Sequence, residues 1–161
     1  MCAWSVKDIN LIHWRECQFF PHQHYPYAEE MYQLCDREGI VVIDETPAVG
    51  IGVGDKIDPY KTFYIREHHE QVLREMIARD KNHPCVVMWS MGNEPDTEHF
   101  PESAYDYWHS LYELTHSIDP ARPSGNLRVL PEQLRERSRD EDDGRGVREP
   151  LLWLVQSVRR S

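Results

Sequence analysis

The sequence contains no long hydrophobic run. No segment approaches the ~18 consecutive apolar residues that a membrane-spanning helix needs, and the first residues form no apolar signal-peptide core. The 161 residues therefore predict neither membrane insertion nor secretion, and they leave the cytoplasm as the default compartment.

Positive charge is also scarce. Twenty-eight Asp and Glu residues oppose 18 Lys and Arg residues, which gives a formal net charge of −10. Nucleic acids and anionic membrane surfaces attract proteins through basic patches, whereas the basic residues here are scattered along the chain. The composition therefore argues against nucleic acid or a membrane as a partner.

Motifs for metals and phosphates are missing as well. Cys2, Cys17, Cys35 and Cys85 have no Cys-x-x-Cys spacing, and the nine histidines form no His-Glu-x-x-His motif. The glycines within 50–60 lack the Gly-Lys-Ser/Thr ending of a phosphate loop. We therefore predict no metal, no nucleotide and no other cofactor. Cys35 and Cys85 fall on apolar faces and are predicted to be buried and reduced.

The most informative stretch covers residues 81–96. Residues 85–89 form a short apolar run between Asn-His-Pro and Gly-Asn-Glu-Pro, which predicts a buried strand that feeds a loop. Asn93 and Glu94 then lie at the exit of this strand. In parallel α/β proteins the carboxyl ends of the strands carry the ligand sites, so both residues are candidates for function.

Glu94 is suited to general acid/base chemistry. A carboxyl group between an apolar strand and a Pro-containing turn is expected to be partly desolvated, which raises its pKa toward neutrality. The alternative is a surface turn whose polar side chains satisfy backbone groups, and the pattern alone gives these two interpretations roughly equal weight.

Helix and strand patterns alternate around this stretch. The spacing of apolar residues predicts helices over about 6–14, 27–38, 66–79 and 103–117, and Gly39 is placed to end the second. Residues 40–43 predict a buried strand that delivers Asp44 and Glu45 to the same rim as Glu94. For these two acids, a ligand contact and a structural cap or ion pair have similar weight. The alternation predicts a parallel α/β fold. A complete (β/α)8 barrel needs about 250 residues, so 161 residues predict a partial TIM barrel of three to four β/α units.

Three segments together resemble the catalytic barrel of β-glucuronidases in glycoside hydrolase family 2. They are residues 81–96, His-Tyr-Pro-Tyr-Ala-Glu-Glu at 24–30, and Gly-Ile-Val-Val-Ile-Asp-Glu-Thr-Pro-Ala-Val-Gly at 39–50. The resemblance implies a retaining glycosidase that acts on β-glucuronides or related glycosides, and it allows a homo-oligomer for the full-length family member. It implies that Glu94 is the general acid/base, that Asn93 contacts the sugar and that His24 lies in the sugar pocket. Position at a strand exit adds Asp44 as a substrate-binding candidate.

The resemblance also identifies a part that the chain lacks. Family members carry the catalytic nucleophile on a later barrel strand in a Glu-Tyr-Gly context, and this context does not occur here. We therefore expect the isolated polypeptide to be inactive. We also expect it to be poorly folded, because three to four β/α units expose strand edges and helix faces that the missing units would cover. The alternative to an enzyme is a pseudogene-like remnant or a non-enzymatic interaction fragment.

Two segments depart from the family pattern. Residues 18–23 read Gln-Phe-Phe-Pro-His-Gln where the family has a strand of the form Asn-Ser-Phe-Arg-Thr-Ser, and a one-base shift of suitable codons restores that strand. The same shift across 148–157 gives Val-Asn-Arg-Tyr-Tyr-Gly-Trp-Tyr-Ser, which resembles the next strand motif of the family. We hypothesise frameshifts at 15–23 and after about 123. This hypothesis predicts a partial barrel domain over 1–123 and a charged, disordered, out-of-frame tail over 124–161.

Overall fold

The computed structural model describes residues 25–54 and 56–127. The helix predicted over 6–14, the altered segment 15–23 and the site residue His24 lie outside these residues. In chain order, the elements are α1 Glu29–Glu38, β1 Val42–Glu45, α2 Pro59–Thr62, α3 Arg66–Asp80, β2 Val86–Asn93, α4 Pro101–Ile118 and β3 Ser124–Leu127.

The strands of the described part form one parallel sheet in the order β1-β2-β3. Helices α2 and α3 connect β1 to β2, and α4 connects β2 to β3. Parallel neighbours require such crossovers, and the repeated strand-helix unit is the one from which (β/α)8 barrels are built. The predicted parallel α/β architecture is therefore confirmed.

The end of α1 shows how a single residue sets an element boundary. Gly39 has a φ of 68°, in the left-handed region, and its N–H donates to the Cys35 carbonyl to close the helix. Glycine adopts this conformation without the steric cost that a Cβ brings. The predicted end of the helix is confirmed, whereas its start lies at Glu29 rather than Tyr27, because Ala28 is still extended.

The core lies between the helices and one face of the sheet. Trp89 and Met91 of β2 are fully buried there, against α3 and α4. The buried faces of these two helices recur at helical spacing and comprise His69, Leu73, Met76, Ile77 and Asp80 on α3, and Ala104, Tyr107, Trp108, Leu111 and Thr115 on α4. The predicted helices 66–79 and 103–117 match them to within two residues.

None of the helices in the described residues has the length and apolarity that crossing a membrane requires.

Both strands that were predicted from apolar runs begin and end later than those runs. Strand β1 continues through Asp44 and Glu45, so these acids are part of the strand rather than its exit loop. Strand β2 continues four residues past Trp89 to Asn93. The apolar run ends at Ser90 because this residue is polar. The strand nevertheless continues, since the Ser90 hydroxyl donates to the Glu45 carboxylate at 2.6 Å and this polar pair takes the place of an apolar contact within the sheet.

The predicted boundary after Pro123 is too early. Residues Ser124–Leu127 form β3, which pairs in parallel with β2 through Trp89 and Ser90. Arg122 precedes this strand and donates to the Val86 carbonyl and to Asp119 at 2.7 and 2.6 Å, which ties the turn to the start of β2. The barrel unit therefore reaches at least residue 127. The predicted tail over 128–161 lies outside the described residues.

Candidate active site

Asn93 and Glu94 lie at the carboxyl end of β2. Asn93 is the last residue of the strand, and its backbone N–H donates to Ala48 at 2.8 Å while its carbonyl accepts from Gly50 at 2.8 Å. Glu94 follows with a φ of 48°, a left-handed conformation that is uncommon for residues other than glycine. The backbone on both sides of the Asn-Glu pair is thus held by the loop that follows β1.

A second set of hydrogen bonds holds the chain beyond Glu94. The Asp96 N–H donates to the Ile51 carbonyl at 2.8 Å, and the Asp96 carbonyl accepts from the Tyr60 hydroxyl at 2.6 Å. The Trp108 indole N–H in turn donates to the Tyr60 oxygen at 3.3 Å. Helices α2 and α4 therefore position the turn that presents Glu94.

Close packing under the pair requires a glycine. A Cβ on Gly92 would lie 2.8 Å from the Trp108 ring and 2.9 Å from the Ala48 carbonyl oxygen, which is closer than such atoms approach in proteins. Because Trp108 is almost fully buried, neither neighbour can move away cheaply. Gly92 thus allows the end of β2 to lie directly against α4.

Glu94 itself is exposed to solvent. The sequence predicted partial desolvation of this carboxyl group, and that prediction is wrong for the described residues. The reason is local, since the strand ends at Asn93 and no described element covers the side chain that follows. Its neighbour Asn93 is buried, so the pair presents an accessible carboxylate beside a largely enclosed amide.

Asp44 and Glu45 lie on opposite faces of β1, although they are adjacent in sequence. Asp44 is 1% exposed, faces the helices and accepts a hydrogen bond from the Tyr32 hydroxyl at 2.7 Å. Burial, assisted by the negative charge of Asp80, raises the pKa of the Asp44 carboxyl group. Its contacts therefore favour the structural role that the sequence had left open, not the substrate contact. Glu45 lies on the face away from the helices, where Ser90 donates to it.

A buried hydrogen-bonded chain centred on His69 lies beneath the site, and the sequence did not predict it. The Thr46 hydroxyl donates to the Met91 carbonyl at 2.6 Å, so its oxygen accepts from His69 Nε2 at 2.9 Å. His69 Nδ1 is then the acceptor for the Tyr107 hydroxyl at 2.8 Å. Burial lowers the pKa of His69 to about 4, which keeps the imidazole neutral. The available signal was the position of His69 on the apolar face of the predicted helix, four residues before Leu73.

One group in the described residues has the ligand types for a metal ion. Asp36, His83 and Cys85 each place one ligand atom within 4.8 Å of the others. The sequence predicted no metal site, because Asp36 is far from the other two along the chain and no ligand motif marks them. This group lies at the opposite end of β2 from Glu94.

Comparison with known proteins agrees with this architecture. Residues 3–134 match the family described as glycosyl hydrolases family 2, TIM barrel domain. The chain is 50% identical over 122 residues to the β-glucuronidase of Sus scrofa, a match that covers 74% of this chain and 18% of that protein. It is 48% identical over 128 residues to the β-glucuronidase of Paenibacillus borealis, with 75% and 21% covered.

Solved structures give the same result. The β-glucuronidase of Faecalibacterium prausnitzii matches with a TM-score of 0.78 and 59% identity, over 83% of this chain and 23% of that one. The Bifidobacterium dentium β-glucuronidase, complexed with coumarin-3-O-glucuronide, matches with a TM-score of 0.72 and 48% identity, over 81% and 21%. The chain thus spans about a fifth of the length of these relatives. It belongs to glycosyl hydrolase family 2, as part of the TIM barrel domain of that family.

Proposed function

We propose that this chain carries the acid/base half of a β-glucuronidase-type active site, with Glu94 as the general acid/base and Asn93 as a contact to the sugar. The observation that supports this most is the Asn-Glu pair at the carboxyl end of β2, where TIM barrel enzymes place their catalytic residues. The proposal extends to His24 as a further residue of the sugar pocket.

Hydrolysis with retention requires two carboxyl groups about 5 Å apart. In the proposed mechanism the Glu94 carboxyl group first gives its proton to the leaving glycosidic oxygen, while a second carboxylate attacks the sugar and forms a glycosyl-enzyme intermediate. The Glu94 carboxylate then takes a proton from the water that releases the sugar. No Glu-Tyr-Gly context occurs in the 161 residues, so the nucleophile is proposed to come from outside them.

The backbone geometry around Glu94 supports a role that needs a precisely placed carboxyl group. A left-handed backbone costs a non-glycine residue about 1–2 kcal/mol. The backbone hydrogen bonds of Asn93 and Asp96, on either side of Glu94, hold Glu94 in this conformation. A proton donor fixed relative to the scissile bond avoids the orientational cost of reaching the reactive geometry. The exposed carboxylate is accessible to a ligand that approaches from the rim.

The proposed substrates are β-glucuronides. Two similar enzymes have been solved with sugar ligands: the Bifidobacterium dentium enzyme with a glucuronide, coumarin-3-O-glucuronide, and a Ruminococcus gnavus enzyme with a sugar lactone, D-glucaro 1,5-lactone. The mechanism needs only carboxyl groups and water, so the proposal includes no cofactor. Self-association is proposed for the full-length family member.

A chimera tests the role of Glu94 because it supplies the nucleophile. Residues 25–127 of this chain replace the matching segment of the Faecalibacterium prausnitzii β-glucuronidase, which is 59% identical. We expect the chimera to hydrolyse aryl β-glucuronides and E94Q to lower kcat/KM by at least about 100-fold, the usual contribution of a general acid/base. The loss in E94Q should be smaller for aryl groups that leave without protonation.

Glu102 provides the matched control. It is also an exposed glutamate, in the first turn of α4, and E102Q should retain the activity of the chimera. An equal loss in both variants, or no loss in E94Q, would contradict the proposed role. For the 161-residue chain alone we expect no release of the phenol above the buffer level, which is the result that an inactive remnant gives. If the chain alone releases the phenol and E94Q abolishes this release, the chain is instead an active enzyme.

A further inference from the structure

The residues Asp36, His83 and Cys85, here called the Asp-His-Cys cluster, join two elements at the amino-terminal end of the sheet. Asp36 lies in α1, whereas His83 and Cys85 lie in the turn that leads from α3 into β2. Eight strand residues separate Cys85 from Glu94, a distance of about 30 Å at the usual rise per residue. The cluster is therefore separate from the proposed catalytic rim.

The three side chains are already oriented toward one another. Asp36 Oδ2 lies 2.6 Å from His83 Nδ1, and Asp36 Oδ1 accepts from the backbone N–H of Cys85 at 2.8 Å. The His83 ring packs against Tyr32 with 5.4 Å between centroids, which limits its rotation. Partial burial acts to raise the pKa of Asp36, but these hydrogen bonds outweigh it and hold the pKa below its usual value. The carboxylate is therefore ionised at neutral pH, as a metal ligand must be.

Thiolate, imidazole and carboxylate groups are each common zinc ligands. Cys85 is buried, and this burial raises the pKa of its thiol, so the free chain holds a neutral S–H group. A bound divalent cation reverses this preference, because a coordinating thiol loses its proton. Three protein ligands leave a fourth position for water, and the partial exposure of Asp36 and His83 gives an ion a route to the cluster.

We propose that the Asp-His-Cys cluster binds one Zn²⁺ ion through Asp36 Oδ2, His83 Nδ1 and Cys85 Sγ. The ion takes the place of the proton between the carboxylate and the imidazole. The neutral imidazole then carries its proton on Nε2 instead of Nδ1, and the thiol proton is released to the buffer. In a tetrahedral site with ligands at 2.0–2.3 Å, the ligand atoms lie about 3.4 Å apart, so the carboxylate and imidazole must separate by less than about 1 Å. The bound ion would crosslink α1 to the start of β2.

The alternative is a metal-free latch in which Asp36 only ties the helix to the strand. That latch uses the His83 ring and the backbone N–H of Cys85. The thiol hydrogen-bonds to the Tyr32 carbonyl at 3.5 Å and also helps to lower the pKa of Asp36 through a side-chain hydrogen bond. Removing the thiol alone still separates the two functions, because C85A deletes a metal ligand but keeps the hydrogen bonds of Asp36 to His83 and to the backbone N–H of residue 85.

Cobalt titration of the complete 161-residue chain under reducing conditions tests the proposal. We expect one equivalent of Co²⁺ to produce a thiolate-to-cobalt charge-transfer band, which Zn²⁺ then removes. C85A should abolish the band, and H83Q should weaken Co²⁺ affinity by at least about tenfold. The matched control is C35A, which deletes another buried thiol that is not part of the cluster and should keep the band.

Far-ultraviolet circular dichroism of each variant checks that its helices are retained. Thermal unfolding of the wild type and H83Q gives a second measurement, because Zn²⁺ should raise the Tm of the wild type more than that of H83Q. Absence of a saturable band in the wild type overturns the proposal. So does a band that persists in C85A, which would place the ion at other cysteines, or a band that C35A removes as well.

Discussion

At the scale of single residues, the alternation of a β-strand decides the environment of each carboxyl group. Asp44 faces Tyr32 and the helices, whereas Glu45, one residue later, faces Ser90 across the sheet. Asp44 shares its buried surroundings with Asp80, whose carboxylate binds Arg79 through two hydrogen bonds. A single arginine thus serves two buried acids, which favours a proton on Asp44.

Asp44→Asn should make stability less dependent on pH. Because the pKa of Asp44 is raised in the folded state, the folded chain holds this proton more tightly than the unfolded chain. The resulting stability is complete below the unfolded pKa of about 3.9 and is lost as the pH rises through the raised folded value. Each unit of pKa difference corresponds to about 1.4 kcal/mol, so wild-type unfolding free energy should fall over this range and that of D44N should stay flatter.

Urea unfolding from pH 5 to pH 9 measures this difference. The control is D106N, which changes an exposed aspartate on α4 and should retain the wild-type slope. Parallel curves for the wild type and D44N would show that Asp44 does not hold the proton.

At the scale of elements, His69 connects parts that are distant in sequence. Its hydrogen-bonded chain runs from Tyr107 on α4, through His69 on α3, to Thr46 after β1 and the Met91 carbonyl of β2. Every polar group in this chain has a partner only while the imidazole is neutral and in one tautomer. The chain therefore ties two helices and two strands together directly below Asn93.

Acid should weaken this connection. The pKa of His69 is lowered to about 4 by burial, so its stabilising effect is complete above the usual value of about 6.5 and is lost as the pH falls through 4. H69Q should cost about 1–3 kcal/mol at pH 7, because it removes the acceptor of the Tyr107 hydroxyl and the donor to the Thr46 oxygen. It should also reduce the acid dependence.

The neighbouring histidine gives the control for this prediction. His68 is exposed, so H68Q should unfold in urea with the wild-type dependence between pH 4 and pH 7. If H68Q and H69Q change the acid slope equally, the burial of His69 is not the cause.

At the scale of the whole molecule, the sheet of the described residues has β1 and β3 at its edges. A TIM barrel closes on itself and leaves no such edges, and strands of a partial barrel gain stability from the neighbours that complete it. We therefore expect amide hydrogens of β1 and β3 to exchange faster in the 161-residue chain than in the chimera, whereas those of β2 should differ less. Hydrogen exchange followed by mass spectrometry measures this, and equal protection in both proteins would contradict it.

The sequence by itself determined the helix-strand alternation, the end of α1 and the location of the Asn-Glu pair. These features depend on local rules: apolar spacing selects helix or strand, Gly39 accepts a left-handed backbone, and a strand exit follows its strand in the chain. The motif resemblance added the family, which the comparisons confirm.

Only the tertiary structure decided which polar side chains meet. Asp44 pairs with Tyr32, His69 joins Thr46 to Tyr107, and Asp36 reaches Cys85 across 49 residues, although no local pattern marks any of these contacts. The extent of β1 and β2 was decided in the same way, because backbone pairing with a neighbouring strand continued past the apolar runs. The physical reason is that a buried polar group needs a partner, and packing can bring that partner from any part of the chain.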